Sequence, residues 1–296
     1  MAYLKNKDAQ WIQSDDHVSV GEPPGFTKEL LILLNNLDKI FHKARAACEF
    51  EFICTLLSIK GMQDAGWDPY QTTVSTVSEV LDAANSLDNH LAQKNLQLWL
   101  YVHIMEASEP YEKLMNLIKV ANGERFNPNN FPLIKGKRAW SPGEKIRKII
   151  EKANFVGLDD QLSFLTIIWD RGLRNSISHS EYVFYPNELR TLNPLKKWPR
   201  TLVAEKINRA VAYHHAFEAV HTWYVSSYEK TKRIQTNKDF SSGDALVMIR
   251  KGHGVIGLKD AWTPLEIKQG AIPWRAARLS ESESEILERA PDTTEF

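Results

Sequence analysis

FTKELLILLNNLDKIFHKARAACEFEFICTLL, residues 26–57, brings back an apolar side chain every three or four positions: Leu30, Leu33, Leu34, Leu37, Ile40, Phe41, Ala44, Ala47 and Cys48, with the stripe continuing to Leu56 and Leu57. That spacing follows the 3.6-residue period of an α-helix rather than the two-residue alternation of a strand, so a long amphipathic helix is expected here. Residues 1–25, which precede it, are polar and close in GEPPG, a Pro/Gly cluster that reads as an extended N-terminal arm. The GMQDAGWDPY interruption at 61–70 ends the helix, and Val77, Val80, Leu81, Ala84, Leu87 and Leu91 mark a second. A third is expected from about Asn95 to Val120, with Trp99, Val102, Met105, Leu114 and Leu117 on its buried face and an irregularity at SEPY. ANGERFNPNNFPLIKGKRAW, 121–140, has no period and reads as a long surface loop.

SPGEKIRKIIEK, from 141, opens a further helix: Ser141 can cap it, Pro142 suits its first position, and Glu144 completes a capping box. Gly157 separates it from the next, where Leu162, Leu165, Ile168, Trp169, Leu173 and Ile177 form one buried stripe. EYVFYPNELRTLNP, 181–194, reads as a loop with a short extended piece, and 201–232 as one long helix. ALVMIRKGHGVIGL, 245–258, has the β-branched, Gly-punctuated character of a hairpin, and LSESESEILERAPDTTEF reads as an acidic helical or disordered tail. The expected architecture is mainly α: an arm over 1–25, a helical domain over 26–232, and a small C-terminal α+β appendage over 233–296 with the acidic tail.

Composition narrows the function. The chain has 296 residues, 43% of them hydrophobic, enough for a substantial core, and 37 basic side chains balance 37 acidic ones. A formal net charge of zero leaves no global field for nucleic acid or membranes, so any polyanion site must be local. No stretch approaches the ~18 apolar residues of a membrane span, and the first twenty residues contain no signal-like apolar run. A soluble, cytoplasmic protein with no membrane partner is expected. Cys48 and Cys54 point to different helix faces and read as small core residues. His214, His215 and His221 share a helix without a carboxylate at HExxH spacing, and no GxxxxGK[ST], strand-borne GxGxxG or GxSxG is present. Neither a metal nor another cofactor is expected.

LRNSISHSEY, 173–182, concentrates the candidate chemistry. On a helix, Asn175 and His179 share a face, whereas Arg174 lies about 140° from His179, so the two converge only if the helix ends near Ser178 or the arginine bends. Leu173 and Ile177 face the core and place Arg174 and Ser178 at its boundary. RNSISH, an arginine and a histidine four residues apart at a helix end in a helical chain, resembles the signature of the HEPN superfamily (higher eukaryotes and prokaryotes nucleotide-binding). The match covers these few residues and a helical context of roughly 27–232.

The resemblance implies a HEPN-like helical bundle and metal-independent RNA cleavage in a composite site of a homodimer. It also implies a prokaryotic toxin or phage-defence effector, regulated by a separate antitoxin or sensor. Carried over, Arg174 positions and neutralises the scissile phosphate, Asn175 orients His179 or the phosphate, and His179 is the general acid/base. The chemistry agrees: metal-free RNA cleavage needs a proton acceptor, a proton donor and positive charge on the transition state, which imidazole and guanidinium provide. Asp170, one turn before Arg174, is placed to hold the guanidinium, with Ser178 beside it.

The family also contains non-catalytic helical dimerisation modules that bind a protein partner or nucleotide. In that alternative Arg174 pairs with Asp170 or complements the helix dipole, and His179 meets a loose carbonyl. Basic clusters that could track RNA occur at Lys135, Lys137 and Arg138, at Lys145, Arg147 and Lys148, and at Lys196, Lys197 and Arg200. Phe131, Trp140, Tyr185 and Trp198 lie nearby for base stacking, and the last cluster, next to the decapeptide, is favoured.

Overall fold

The computed structural model describes residues 3–5, 11–13, 25–58, 64–65, 69–237, 243–271 and 274–279. The expected acidic tail and much of the N-terminal arm lie outside them, as does part of the 61–70 break. In chain order the elements are β1 (Tyr3–Lys5), β2 (Trp11–Gln13), α1 (Phe26–Ala47), α2 (Glu49–Leu57), β3 (Asp64–Ala65), α3 (Pro69–Ser86), α4 (His90–Glu106), α5 (Ser108–Ala121), α6 (Pro142–Asn154), α7 (Asp159–Leu162), α8 (Phe164–Ile168) and α9 (Arg171–Ser178). They continue with β4 (Tyr182–Phe184), β5 (Glu188–Leu192), β6 (Leu195–Pro199), α10 (Arg200–Ser226), β7 (Arg233–Gln235), β8 (Asp244–Arg250), β9 (Gly254–Asp260), α11 (Pro264–Lys268) and β10 (Arg275–Leu279). The described residues are mainly α. No helix among them is long and apolar enough to cross a membrane.

The chain forms two compact units, each assembled from separated segments. One comprises Met1–Lys39, Pro69–Tyr111 and Phe131–Val220; the other comprises Ile40–Asp68, Glu112–Asn130 and His221–Phe296. Packing, rather than position along the chain, defines both.

In the first unit, β1 and β2 pair antiparallel within the expected arm, and Lys5 Nζ bonds Asp38 of α1 at 2.6 Å. Helices α3 and α4 pack together, and α4 packs against α9. Asn89 caps α4 by accepting from the amides of Leu91 and Ala92, so the second expected helix divides before Leu91. The irregularity at SEPY falls at Ala107, between α4 and α5. Trp99, expected in the core, is 61% exposed. The capping box at Ser141 is present: its hydroxyl accepts the Glu144 amide, and the Glu144 carboxylate accepts the Ser141 amide. Gly157 follows α6 at φ +64°, a left-handed conformation that suits a residue without Cβ.

Two further expectations in this unit needed correction. The stripe from Leu162 to Ile177 is not one helix but three short ones, α7, α8 and α9. The segment at 181–194, expected as a loop with a short extended piece, supplies two strands, β4 and β5, of a three-stranded antiparallel sheet, β4-β5-β6. Its alternation is clear in β5, where Leu189 and Thr191 are buried between less buried neighbours, but Pro186 and Pro194 mask it in the sequence.

In the second unit the 26–57 stripe breaks at Cys48, which takes extended angles (φ −158°, ψ 107°) and starts α2. Residues Phe50 to Leu57 are all buried, so α2 is covered all round and cannot continue an amphipathic α1 in the same direction. Phe41, Phe52 and Tyr224 form an aromatic cluster with centroids 5.3–6.2 Å apart. Helix α2 lies against β7 and β9 of a five-stranded sheet ordered β3-β10-β9-β8-β7, whose β8–β9 hairpin matches expectation. Both cysteines are free; Cys54 is buried and Cys48 half-buried.

Candidate functional site

Helix α9 has only eight residues, too few to persist alone, yet the first unit holds it at both ends and along one face. It begins because Trp169 and Asp170 are extended, breaking the ladder after α8. Tyr101 of α4, with no exposed surface, satisfies the two backbone groups this frees: its hydroxyl donates to Ile168 O and accepts from the Asp170 amide, both at 3.0 Å. Burial pushes that hydroxyl's pKa well above its ordinary value, so it keeps its proton. Asp170 Oδ1 then caps α9 by accepting from the Leu173 amide at 3.0 Å, a contact worth about 1 kcal/mol.

Leu173, Ser176 and Ile177 form the buried face, and each aliphatic side chain contributes about 1.5–3 kcal/mol on burial. The Ser176 hydroxyl donates to Asn193 O at 3.1 Å. Gly172 lets the β5–β6 turn close on the helix, since a Cβ there would stand 3.0 Å from the Pro194 ring. The C-terminus closes through Ser180 at φ +56°, with the Ser180 amide on Ile177 O and the Glu181 amide on Ser176 O. His179 is therefore the C-cap, its amide on Asn175 O and its side chain exposed.

Arg174 is held by different partners from the one expected. Its Nε donates to Glu106 Oε1 at the end of α4, and its Nη1 donates to Asn175 Oδ1 at 2.9 Å. Among the described residues Asp170 makes no hydrogen bond or ion pair with the guanidinium; it caps the helix and lies 4.0 Å from Lys206 Nζ. The reason is directional: a carboxylate at the N-cap turns toward the free amides of its own helix, whereas Arg174 projects along the α4 side. Asn175 serves Arg174, and among the described residues neither the His179 ring nor the Ser178 hydroxyl makes a hydrogen bond. The helix ends at Ser178, as expected, while the guanidinium turns to Glu106 and Asn175.

Glu106 was not foreseen, because it lies 68 residues from Arg174 and no local pattern connects them. Its position is stabilised by Tyr111, whose hydroxyl donates to Met105 O at 2.9 Å across the α4–α5 break. The salt link is a third exposed, with side-chain exposures of 28% for Arg174 and 33% for Glu106. Three of the five guanidinium N–H donors remain for another ligand after these two bonds. His103, exposed and one turn before Glu106 on α4, was also missed. His214 is not a comparable group: burial first, then His215 and His103, lower its pKa to about 3, so it stays neutral.

The basic clusters differ. Arg138 is committed to Glu144 through two bonds of 2.8 and 2.9 Å, and Lys145 is buried on Ser108. Arg147 faces Glu151, and Lys148 sits over Trp140. Lys197 and Arg200 are exposed and make no ion pair among the described residues, whereas Lys196 stands 3.5 Å over Trp198. Trp198 and Phe131 are buried, so neither offers a face for base stacking. No group of three or more His, Cys, Asp or Glu among the described residues is placed to hold a metal ion. A cavity along α1, lined by Leu31, Ile32, Asn35 and Asn36 among others, contains none of the motif residues. Comparisons with family models, curated proteins and solved structures find no match to the chain.

Proposed function

We propose that this chain is a metal-independent endoribonuclease of the HEPN type, acting as a homodimer. The observation that carries this reading is the division of labour on α9. Arg174 is aligned by Glu106 and Asn175 with donors to spare, and His179 stands exposed at the cap of the same helix. One chain supplies one motif histidine; a two-fold axis beside α9 would supply the second. One imidazole then takes the proton of the ribose 2′-OH as its oxygen attacks phosphorus. The other protonates the departing 5′-oxygen as the P–O bond breaks, leaving a cyclic phosphate and a 5′-hydroxyl, while both Arg174 side chains neutralise the charge. A prokaryotic toxin or phage-defence role, cytoplasmic and under a separate antitoxin or sensor, fits that chemistry.

The test is cleavage of labelled RNA by the full chain in the presence of chelator, alongside His179→Ala and Arg174→Ala. A loss of about 10²-fold or more in each variant is expected. Undiminished cleavage by the variants would overturn the reading. The Arg174–Glu106 pair also supports a second reading, a non-catalytic helical module binding a protein partner or nucleotide, in which the pair is structural. That reading predicts RNA intact with wild type and Arg174→Ala acting on stability alone.

A further inference from the structure

The α4 residues Asn95, Trp99, His103 and Glu106 fall within about 80° of one another at 100° per residue, so they form one stripe along the helix. Both ends of that stripe are tied to the motif segment. Glu106 accepts from Arg174 Nε, and Asn95 Oδ1 accepts from the Tyr182 hydroxyl at 2.7 Å. All of these residues belong to the first compact unit. The two ties close a circuit, with α4 from 95 to 106 on one side and the chain from Arg174 to Tyr182 on the other. The α4 side spans about 16 Å, eleven rises of 1.5 Å. His179 lies on the motif side between the ties, and Trp99 and His103 lie between them on the α4 side.

The stretch of α4 between the ties is open: Trp99 is 61% exposed and His103 is exposed. Like the His179 ring, the His103 ring makes no hydrogen bond among the described residues. It stands one turn before Glu106 on the same face, so it is a neighbour of the carboxylate that holds Arg174. Two other histidines in this unit are placed differently. His214, on α10, is buried and held neutral by that burial. His90 is exposed at the start of α4 but precedes Asn95, outside the circuit.

We infer that His103 is the second catalytic imidazole of this site, paired with His179 of the same chain. The assignment rests on the endoribonuclease reading and changes the source of its second imidazole, not its chemistry. One ring accepts the 2′-OH proton as the O2′–P bond forms, and the other gives its proton to the 5′-oxygen as the P–O5′ bond breaks. Both rings return to their starting states by proton exchange with water. Each protomer then holds a complete acid–base pair beside its own Arg174.

The test uses the full chain and a labelled single-stranded RNA of mixed sequence, with chelator present. His103→Gln should lower the cleavage rate by about 10²-fold or more, while RNA affinity by fluorescence anisotropy stays within about twofold of wild type. His90→Gln should cleave as wild type does. Added imidazole should restore part of the rate in His103→Ala, which a lost packing role would not allow. An RNA with sulfur in place of the bridging 5′-oxygen releases a thiolate that needs no proton. Of His103→Gln and His179→Gln, the variant lacking the acid should cut that RNA as fast as wild type does, and the variant lacking the base should not. Circular dichroism of each variant confirms that it is folded. Wild-type rates in His103→Gln, with cleavage lost in His179→Ala, overturn this inference alone and leave the partner protomer as the source of the second imidazole. A loss in His103→Gln that His90→Gln shares, or that neither imidazole nor the sulfur substrate relieves, also overturns it. Absence of cleavage by wild type removes the nuclease reading and this assignment together.

Discussion

Tyr101→Phe tests the claim that α4 sets the start of the motif helix. The side chain has no exposed surface, and its hydroxyl is the partner of both Ile168 O and the Asp170 amide, each at 3.0 Å. Two net hydrogen bonds at about 1 kcal/mol each are lost, and leaving the two backbone groups unpaired raises the cost, while removal of a buried hydroxyl recovers part of it. A destabilisation of about 2 kcal/mol follows. The loss is local to the α8–α9 junction, so hydrogen exchange at the Asp170, Leu173 and Arg174 amides should accelerate by about 30-fold, the same energy expressed as a rate ratio. On the proposed endoribonuclease reading, RNA cleavage should fall with it, because Arg174 and His179 are carried by that helix.

Tyr213→Phe is the matched control: its hydroxyl is equally buried but has no hydrogen-bond partner among the described residues. Removing it should be neutral or stabilising by up to about 1 kcal/mol. Equal stability changes in the two variants, or unchanged exchange at the start of α9 in Tyr101→Phe, would refute the argument.

Glu106→Gln keeps an acceptor for Arg174 Nε and removes a negative charge, so RNA affinity and cleavage should be retained or increased; Glu106→Ala removes the acceptor and should lower cleavage by about tenfold, a loss of about 1.4 kcal/mol in transition-state alignment, read from initial rates. Acid should destabilise the fold. His214 and His221 are each lowered to about 3, chiefly by burial, against an unfolded value near ~6.5. Their stabilisation is complete above the unfolded value and is lost as pH falls toward 3, about 2 kcal/mol per histidine by pH 5, which urea melts at pH 7.5 and 5 would measure. Gly254→Ala should cost about 3 kcal/mol or more by thermal melting, because φ is +83° and a Cβ would stand 2.0 Å from Val225 O. Gly252→Ala, also at positive φ but in open space, should cost only about 1 kcal/mol.

The sequence by itself determined where apolar periodicity reflects a one-sided environment. α1 and α6 were legible because each buries one stripe, and Ser141-Pro142-Gly143-Glu144 could be read because a capping box is a contact between near neighbours; the helix expected over 201–232 ends at Ser226, and it is buried on more than one face, with Ala210 to His214 all covered. The break within 162–177 had a local signal in Asp170, an N-cap residue three positions before Leu173, but the apolar stripe runs through it unbroken. What interrupts the helix is the Tyr101 hydroxyl, which belongs to α4.

The site divides in the same way. Arg174, Asn175 and His179 were singled out as candidates from their spacing, whereas Glu106, which pairs with the guanidinium, lies 68 residues away on another element. Asp170 was given the wrong partner because sequence spacing shows which groups are one turn apart, not which way a capping carboxylate turns. The sheet at 182–199 and the two discontinuous units were likewise decided by pairing between distant or proline-masked segments. Local covalent geometry encodes helix phase and caps; the choice of partner across the chain depends on burial and on which buried polar groups need one another, and only the assembled tertiary structure makes that choice.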